Sequence, residues 1–252
     1  MAHHSPEGRW GNSQNRKPVR PWTVKDIHTT FKTFFRWLVE GYIDGSPMES
    51  VKAPVARPDQ VQPFTKEQIA AQLMAAKQSR HPYRDEAILL FLLDTAVRAS
   101  ELCGLRIQDL DSVGKRATVL GKGNKRRDIY MSRTTARAVN QSLRGHDTSP
   151  SNPVFLSERD DPFTRSGLQQ LLSRLSKTAG IEAVRCSPHT FRHTCAIWFL
   201  RSGGQVFALK EMLGHTDLHM TMRYVAIAQA DVSAPGEKWV CPTNGEGWLP
   251  VG

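Results

Sequence analysis

The C-terminal half of the sequence brings three imidazoles, a guanidinium and a phenol close together. His189, Arg192 and His193 follow one another at helical spacing in HTFRH, His215 follows a Leu-Gly pair, and Tyr224 comes nine residues later. A guanidinium binds a phosphodiester, a phenol can attack it, and an imidazole transfers protons. This set therefore predicts attack on a phosphodiester without a metal ion. Taken singly, each residue has an ordinary alternative, as when a tyrosine packs half-buried.

A second candidate, Arg98, lies far earlier in the chain. Arg98 follows a densely apolar segment, and Glu101 is three residues further along on the same face of a predicted helical turn. One interpretation is a surface ion pair of the kind that this spacing produces. The other is an arginine that is placed to bind a phosphate with both arms of its guanidinium.

A basic hairpin is predicted between the short strands 117–120 and 128–131. The turn Gly121–Arg127 is rich in Gly, Asn and basic residues, which favours a tight connection that raises Lys122 into a groove. It lacks the GxxxxGK[ST] spacing of a nucleotide-binding loop and is not followed by a helix. The alternative is a hairpin tip that is simply solvated.

A zinc site is the alternative use of the histidine pair. His189 and His193 are four residues apart with Cys195 nearby, but Thr190 stands where the HExxH pattern has glutamate. We therefore assign no metal ligand. The cysteines form no CxxC pair and predict no disulfide framework; they are Cys103, Cys186, Cys195 and Cys241.

The composition is that of a globular protein with a polyanionic partner. The 252 residues are 39% hydrophobic and carry a formal net charge of +10, which favours nucleic acid over a membrane surface. A basic surface that only aids solubility is the alternative. No apolar run is as long as a membrane span, and the N-terminus lacks the apolar core of a secretory signal, so we expect a cytoplasmic protein.

Helices are expected to position these groups. The periodicity and the capping signals predict a mainly α fold with one small antiparallel β-hairpin or sheet. A further brief strand is predicted at 154–156. The predicted helices cover 23–40, 65–79, 83–95, 97–104, 134–144 and 164–179, then a segment from His189, a segment after Gly203-Gly204, and a short piece at 227–232.

The order of these motifs resembles the tyrosine recombinase (phage integrase) family, Xer-like members included. The resemblance rests on Arg98 in TAVRASELCGLR, Lys122 in a hairpin, the HTFRH and LGH motifs, and Tyr224 after them. It covers the chain from about Thr65 to Val232. It implies the DNA breaking-rejoining fold for residues 64–232. Residues 23–63 are similar to the last helix of the family's core-binding (SAM-like) domain plus a linker. A basic arm (1–22) and a flexible tail (233–252) are expected to flank them.

The resemblance also implies a role for each site residue. Tyr224 would be the nucleophile that forms a 3′-phosphotyrosine, and Arg98 and Arg192 would hold the phosphate. Lys122 would protonate the leaving 5′-oxygen and His189 would exchange the tyrosine proton. His215 would hydrogen-bond the phosphate, Glu101 would orient a neighbouring side chain, and His193 has no catalytic role. The expected DNA contacts are Lys125, Arg126, Arg127, Lys32 and Arg36.

The expected activity is site-specific recombination of double-stranded DNA in a homotetramer, with integration or excision of a mobile element as the expected role. It needs no cofactor, because the phosphotyrosyl ester conserves the bond energy. An accessory DNA-bending protein and association with the nucleoid are further expectations. The alternatives are a DNA-binding relic or regulator with the same fold, and a nicking-closing enzyme like the type IB topoisomerases.

Overall fold

The computed structural model of the chain describes residues 19, 21–55, 62–121, 123–182 and 184–230. They form helices joined to one small sheet of three strands. The helices are α1 (Pro21–Val39), α2 (Lys66–Lys77), α3 (Pro82–Thr95), α4 (Ala99–Gly104), α5 (Arg133–Ser142), α6 (Arg165–Thr178), α7 (Pro188–Arg201), α8 (Val206–Leu213) and α9 (His219–Ala230). The strands are β1 (Leu110–Asp111), β2 (Arg116–Leu120) and β3 (Arg126–Tyr130), with a 3₁₀ turn at Ile107–Asp109. The mainly α fold with a small antiparallel sheet is confirmed.

The chain divides into two compact units, Met1–Gln60 and Val61–Gly252. In the first unit, helix α1 begins at Pro21, a residue suited to a first helical turn. The Nε2 atom of His28 lies 3.2 Å from the carbonyl oxygen of Val51, which joins the helix to the segment after it. The apolar residues of α1 are largely exposed; the exposed residues include Phe31, Phe34 and Trp37. That this unit is part of a core-binding domain stays a prediction.

Local side-chain hydrogen bonds define where the helices of the second unit begin. Thr65 caps α2 with a capping box, in which its hydroxyl accepts from Gln68 N–H and the Gln68 amide oxygen accepts from Thr65 N–H. Thr164 and Ser187 accept in the same way from N–H groups in the first turns of α6 and α7. Each cap satisfies a donor that the helix itself leaves free.

Helix α3 is the centre of the core. The sequence predicts a helix that is buried on nearly every side, and its residues from Ala87 to Thr95 are all buried. It packs against α2, α5 and α7. Because α7 carries the histidine pair, the core holds this part of the site directly.

The sheet has the order β1-β2-β3 and is antiparallel throughout. In the β2–β3 hairpin Leu120 pairs with Arg126, and Gly121 N–H donates to the carbonyl oxygen of Lys125 across the turn at 2.8 Å. Gly123 and Asn124 have φ of 75° and 61°, a backbone that glycine and asparagine adopt most readily. The predicted hairpin is therefore confirmed. Strand β2 is one residue longer than predicted, and β3 begins two residues earlier and ends one residue earlier.

Three local predictions are wrong. Within residues 154–156 only Leu156 forms an isolated bridge, to the loop residue Pro162, and the segment does not join the sheet. Arg98 is not inside a helix but is the extended residue before α4, after Ala96 has turned the chain with φ 52°. Tyr224 lies within α9, which already begins at His219.

None of the helices in the described ranges is long and apolar enough to cross a bilayer.

Candidate active site

One cleft of about 600 Å³ contains the phenol, two of the histidines and several arginines. Its lining comes from four parts of the chain: the connection between α3 and α4, the start of α6, helix α7 with the residues before it, and the segment from His215 into α9. Among the described residues, the lining includes no carboxylate but five arginines. These arginines are Arg98, Arg165, Arg185, Arg192 and Arg223. Such a cleft attracts anions.

Arg192 is buried and fixed by the ends of two helices. Its guanidinium donates to the carbonyl oxygen of Ala96 at 2.6 Å and to that of Leu213 at 2.5 Å. Ala96 follows the last residue of α3 and Leu213 is the last residue of α8, so both carbonyls lie at helix C-termini, where the helix dipole is negative. Burial and the neighbouring Arg98 lower the pKa of Arg192 to about 10, so it is still charged at neutral pH.

Arg98 reaches the same region from the start of α4. Its backbone N–H and its Nη1 both donate to the Glu101 carboxylate, at 2.7 and 2.9 Å, and its Nη2 donates to the carbonyl oxygen of Gly214 at 3.2 Å. A third of the Arg98 side chain is still exposed to the cleft. The sequence left open a surface ion pair; the structure shows instead that the Glu101 side chain is only 1% exposed.

His215 is held between Arg192 and Thr221. The Arg192 Nη2 lies 3.2 Å from its Nε2, and since arginine can only donate, this ring nitrogen is the acceptor. The proton of the neutral ring is therefore on Nδ1, which donates to the Thr221 hydroxyl at 2.9 Å. Burial and the charges of Arg192 and Arg98 lower the pKa of His215 to about 4, which keeps it neutral.

The histidines of α7 form a chain with Arg223. The Nε2 atoms of His189 and His193 are 2.7 Å apart, and Arg223 Nη2 lies 2.9 Å from Nε2 of His193. Because Arg223 donates, His193 Nε2 is an acceptor and His189 Nε2 carries its proton. Burial, His189 and Arg223 lower the pKa of His193 to about 3. Burial and Arg223 lower the pKa of His189 as well.

Tyr224 lines the cleft from α9 although its residue surface is only 1% exposed. The hydroxyl lies 3.3 Å from Arg223 Nη2, and the guanidinium of Arg223 lies 4.9 Å from the ring centroid. Its ring packs beside His193, with centroids 5.0 Å apart. Helix α9 packs on α7, so the nucleophile candidate and the histidines share one rigid support.

The structure brings Arg98, His189, Arg192, His215 and Tyr224 to this single cleft. The predicted general acid, Lys122, lies outside the described residues, between the described Gly121 and Gly123. The sequence analysis missed three lining arginines, which are Arg165, Arg185 and Arg223. Their one local signal is position: Arg165 is the first residue of α6, Arg185 lies two residues before Ser187, which caps α7, and Arg223 precedes Tyr224.

The predicted DNA contacts lie in both units. Lys125 and Arg126 are exposed on the hairpin, and Lys32 and Arg36 are exposed on α1. Arg127 differs, because it is only 15% exposed and its guanidinium binds Glu101. Within the described parts of the chain, no cluster of three or more His, Cys, Asp or Glu side chains is placed to hold a metal ion.

Comparison with known proteins agrees with this geometry. Residues 62–231 match the profile of the phage integrase family. The chain belongs to the phage integrase family. A tyrosine recombinase XerC of Alcanivorax borkumensis is 31% identical to this integrase-family chain over 80% of its length and 68% of the relative's. The chain thus spans about two thirds of that relative.

Solved structures of integrase-family proteins show the same fold. The crystal structure of XerA recombinase matches with a TM-score of 0.60 and 25% identity, over 82% of this chain and 73% of that one. The Tn1549 transposon integrase, solved in complex with circular intermediate DNA, matches with a TM-score of 0.67 and 21% identity, over 86% and 81%. The fold of the DNA breaking-rejoining enzymes that the sequence predicts is confirmed.

Proposed function

We propose that this chain is a site-specific DNA recombinase that cuts and rejoins double-stranded DNA through a 3′-phosphotyrosine intermediate. The observation that carries the proposal is the cleft itself, in which the Tyr224 phenol shares one surface with five arginines and no described carboxylate. A phosphodiester fits this charge, and the phenol is a nucleophile beside it. Membership of the family and the XerC relative support the same conclusion.

The reaction balances without an external cofactor. The Tyr224 oxygen forms a bond to phosphorus, the bond from phosphorus to the 5′-oxygen breaks, and the phenol proton passes to His189. The 5′-oxygen leaves as a hydroxyl after it takes a proton from Lys122, and the reverse reaction rejoins the strand. No metal ligand is assigned.

The arginines are proposed to stabilise the transition state. Arg98 and Arg192 bind the non-bridging oxygens, where negative charge grows as the phosphorus becomes five-coordinate. His215 hydrogen-bonds the same phosphate; its Nε2, which accepts from Arg192 in the DNA-free protein, must then carry the ring proton and donate to a phosphate oxygen. Arg192 is already fixed by two carbonyl groups, so little reorganisation is needed when DNA binds.

The biological setting is a finer proposal. We extend the function to integration or excision of a mobile element, in a homotetramer that exchanges strands through a Holliday junction, with an accessory DNA-bending protein. The transposon integrase with the same fold, in complex with circular intermediate DNA, supports this role. The exposed basic residues of the hairpin, Lys125 and Arg126, supply phosphate contacts. Cytoplasmic, nucleoid-associated localisation belongs to the same proposal.

Covalent trapping tests the chemistry. The protein is incubated with nicked suicide duplexes that carry candidate attachment sequences, and wild type is compared with Tyr224→Phe. We expect a protease-sensitive DNA adduct from wild type only. DNA binding by both proteins without an adduct from either would instead support a DNA-binding protein that does not recombine.

Strand exchange tests the recombinase against a nicking-closing enzyme. Two labelled duplexes with the cleaved site are mixed, and joining of one label to the other is measured beside relaxation of a supercoiled plasmid. The proposal expects exchange that needs both sites. Relaxation without exchange would assign the chain to the topoisomerase-like alternative.

A further inference from the structure

Arg127 does not line the cleft, but its guanidinium forms a short ion pair with Glu101 at the edge of the cleft. Its Nη1 and Nη2 donate to the two oxygens of the Glu101 carboxylate at 2.6 and 3.0 Å, a bidentate pair. The Glu101 oxygens also accept from Arg98 at 2.7 and 2.9 Å. One buried carboxylate thus joins the hairpin strand β3 to the arginine that faces the cleft.

The charges of these three groups explain what the contact does. One carboxylate and two guanidinium groups leave a net charge of +1, so Arg98 keeps positive charge for a ligand. Burial by itself raises the pKa of Glu101, but hydrogen bonds from Arg127 and Arg98 outweigh it and hold the pKa below its usual value. Without Arg127, the ionised Glu101 would neutralise Arg98 alone and the net charge would be zero.

Packing fixes Arg127 in this position. An added Cβ at Gly214 would lie 3.0–3.1 Å from three atoms of the Arg127 side chain, so the guanidinium lies directly on this glycine. The carbonyl of Gly214 accepts from Arg98. Arg127 Nε is buried without a hydrogen-bond partner among the described residues, a cost that a purely solvating arginine would avoid.

We propose that Arg127 is a positioning residue for DNA cleavage, which binds Glu101 so that Arg98 presents its guanidinium, with its charge, to the scissile phosphate. The proposal rests on the proposed function. It assigns Arg127 a role different from the direct DNA contact that the sequence suggests, and it separates Arg127 from its exposed neighbour Arg126. It acts through Glu101 and Arg98 and touches no reacting atom.

The first test separates binding from cleavage. Arg127→Met and Arg126→Met are compared on the suicide duplex that wild type cleaves, at rising DNA concentration. We expect Arg127→Met to slow cleavage at saturating DNA by about tenfold or more, since a transition-state contact is weakened. Arg126→Met should instead raise the DNA concentration needed and reduce the salt dependence of binding. Equal effects on binding alone would overturn the proposal.

Arg116→Met is the matched control. Arg116 lies on the neighbouring strand and binds Asp128 at 3.2 Å with about half of its side chain exposed. Its replacement removes one arginine and its ion pairs with Asp128 and Asp111 from the same sheet without touching Glu101, so cleavage should stay at the wild-type rate. Arg127→Lys keeps the charge but not the two-armed contact, and should restore part of the rate.

A modified substrate tests the route through the phosphate. A methylphosphonate at the scissile position has no charged non-bridging oxygen for Arg98 to neutralise. If Arg127 acts through Arg98, Arg127→Met should slow cleavage of this substrate by less than about threefold, far less than for the phosphodiester. A general folding defect would slow both substrates equally, and that outcome would overturn the proposal.

A measurement without DNA keeps the two proposals distinct. Inorganic vanadate imitates a phosphoryl-transfer transition state, and its binding is measured by calorimetry. Arg127→Met should weaken it by about tenfold while Arg116→Met should not. Unchanged vanadate affinity overturns the role of Arg127 whether or not DNA is cleaved. A failure of wild type to form any DNA adduct contradicts the proposed function instead.

Discussion

The Nη2 atom of Arg223 lies 3.3 Å from the hydroxyl oxygen of Tyr224. A cation at this distance stabilises the negative charge that the oxygen gains as it loses its proton. We therefore predict that Arg223→Met slows formation of the covalent adduct by about tenfold or more, and that Arg223→Lys retains part of the rate. Single-turnover cleavage of the suicide duplex measures both.

The control for Arg223 is an arginine on another surface. Arg174 binds Glu158 at 2.9 Å with half of its side chain exposed. Arg174→Met lowers the net charge by the same amount and should leave cleavage unchanged. If Arg223→Met cleaves as fast as wild type, its contact with Tyr224 is only a packing arrangement of the DNA-free protein.

Gly214→Ala should impair cleavage more than stability. Gly214 has φ 59°, and a Cβ there would meet Arg127 at 3.0 Å. The left-handed backbone costs alanine about 1–2 kcal/mol, and displacement of Arg127 adds a loss of cleavage. Gly180→Ala is the matched control, since φ is 68° there and nothing lies within 4 Å of the added Cβ. Parallel losses of stability and activity in both variants would contradict this prediction.

Acid should destabilise the second unit through its neutral histidines. The folded pKa of His193 is about 3 and that of His215 about 4, below the ordinary value of 6.5. Between those values and 6.5 the unfolded chain binds protons that the folded chain does not. The free energy of unfolding therefore falls as the pH is lowered through this range, by roughly 2 kcal/mol at pH 5 for the buried His193 and by less for the partly exposed His215, whose charge water screens.

Thermal unfolding at pH 7 and at pH 5 measures this effect. His193→Gln removes the titrating group and keeps an oxygen that can accept from Arg223. We expect its Tm to fall less than that of wild type between the two pH values. An equal fall in both proteins would show that other groups control acid stability.

Thr194→Val should destabilise the second unit by about 1–3 kcal/mol, because it leaves a buried donor unpaired. The Thr194 hydroxyl is fully buried and accepts from Phe64 N–H at 2.9 Å, which fixes the entry to α2. Ser202→Ala is the control, since it removes only a hydrogen bond to the preceding turn, at Trp198. Urea unfolding measures both, and equal midpoints would contradict the prediction.

The sequence predicts helices well where the signal is local. Thr65 and Thr164 each mark a helix start because their hydroxyls bond a donor three residues away. The segment 154–156 shows the limit of this reasoning. Val154 and Phe155 are buried, but whether the segment pairs as a strand depends on loop residues that no local pattern reveals.

The candidate site likewise contains residues that the order of motifs predicts and residues that only the packing of helices brings in. The order of Arg98, His189 and Tyr224 along the chain suffices to group them. By contrast, Arg165 and Arg185 reach the cleft only because α6 and α7 pack together. Arg127 had a local signal, since it shares the inward face of β3 with the buried Ile129, two residues away.

Arg192 joins the ends of α3 and α8, and this has an evolutionary consequence. A descendant that had stopped cutting DNA would still need a cation there, because two helix ends would otherwise present unpaired carbonyls to each other. Selection for folding alone therefore preserves Arg192. Its presence in any relative therefore says little about whether that relative recombines DNA.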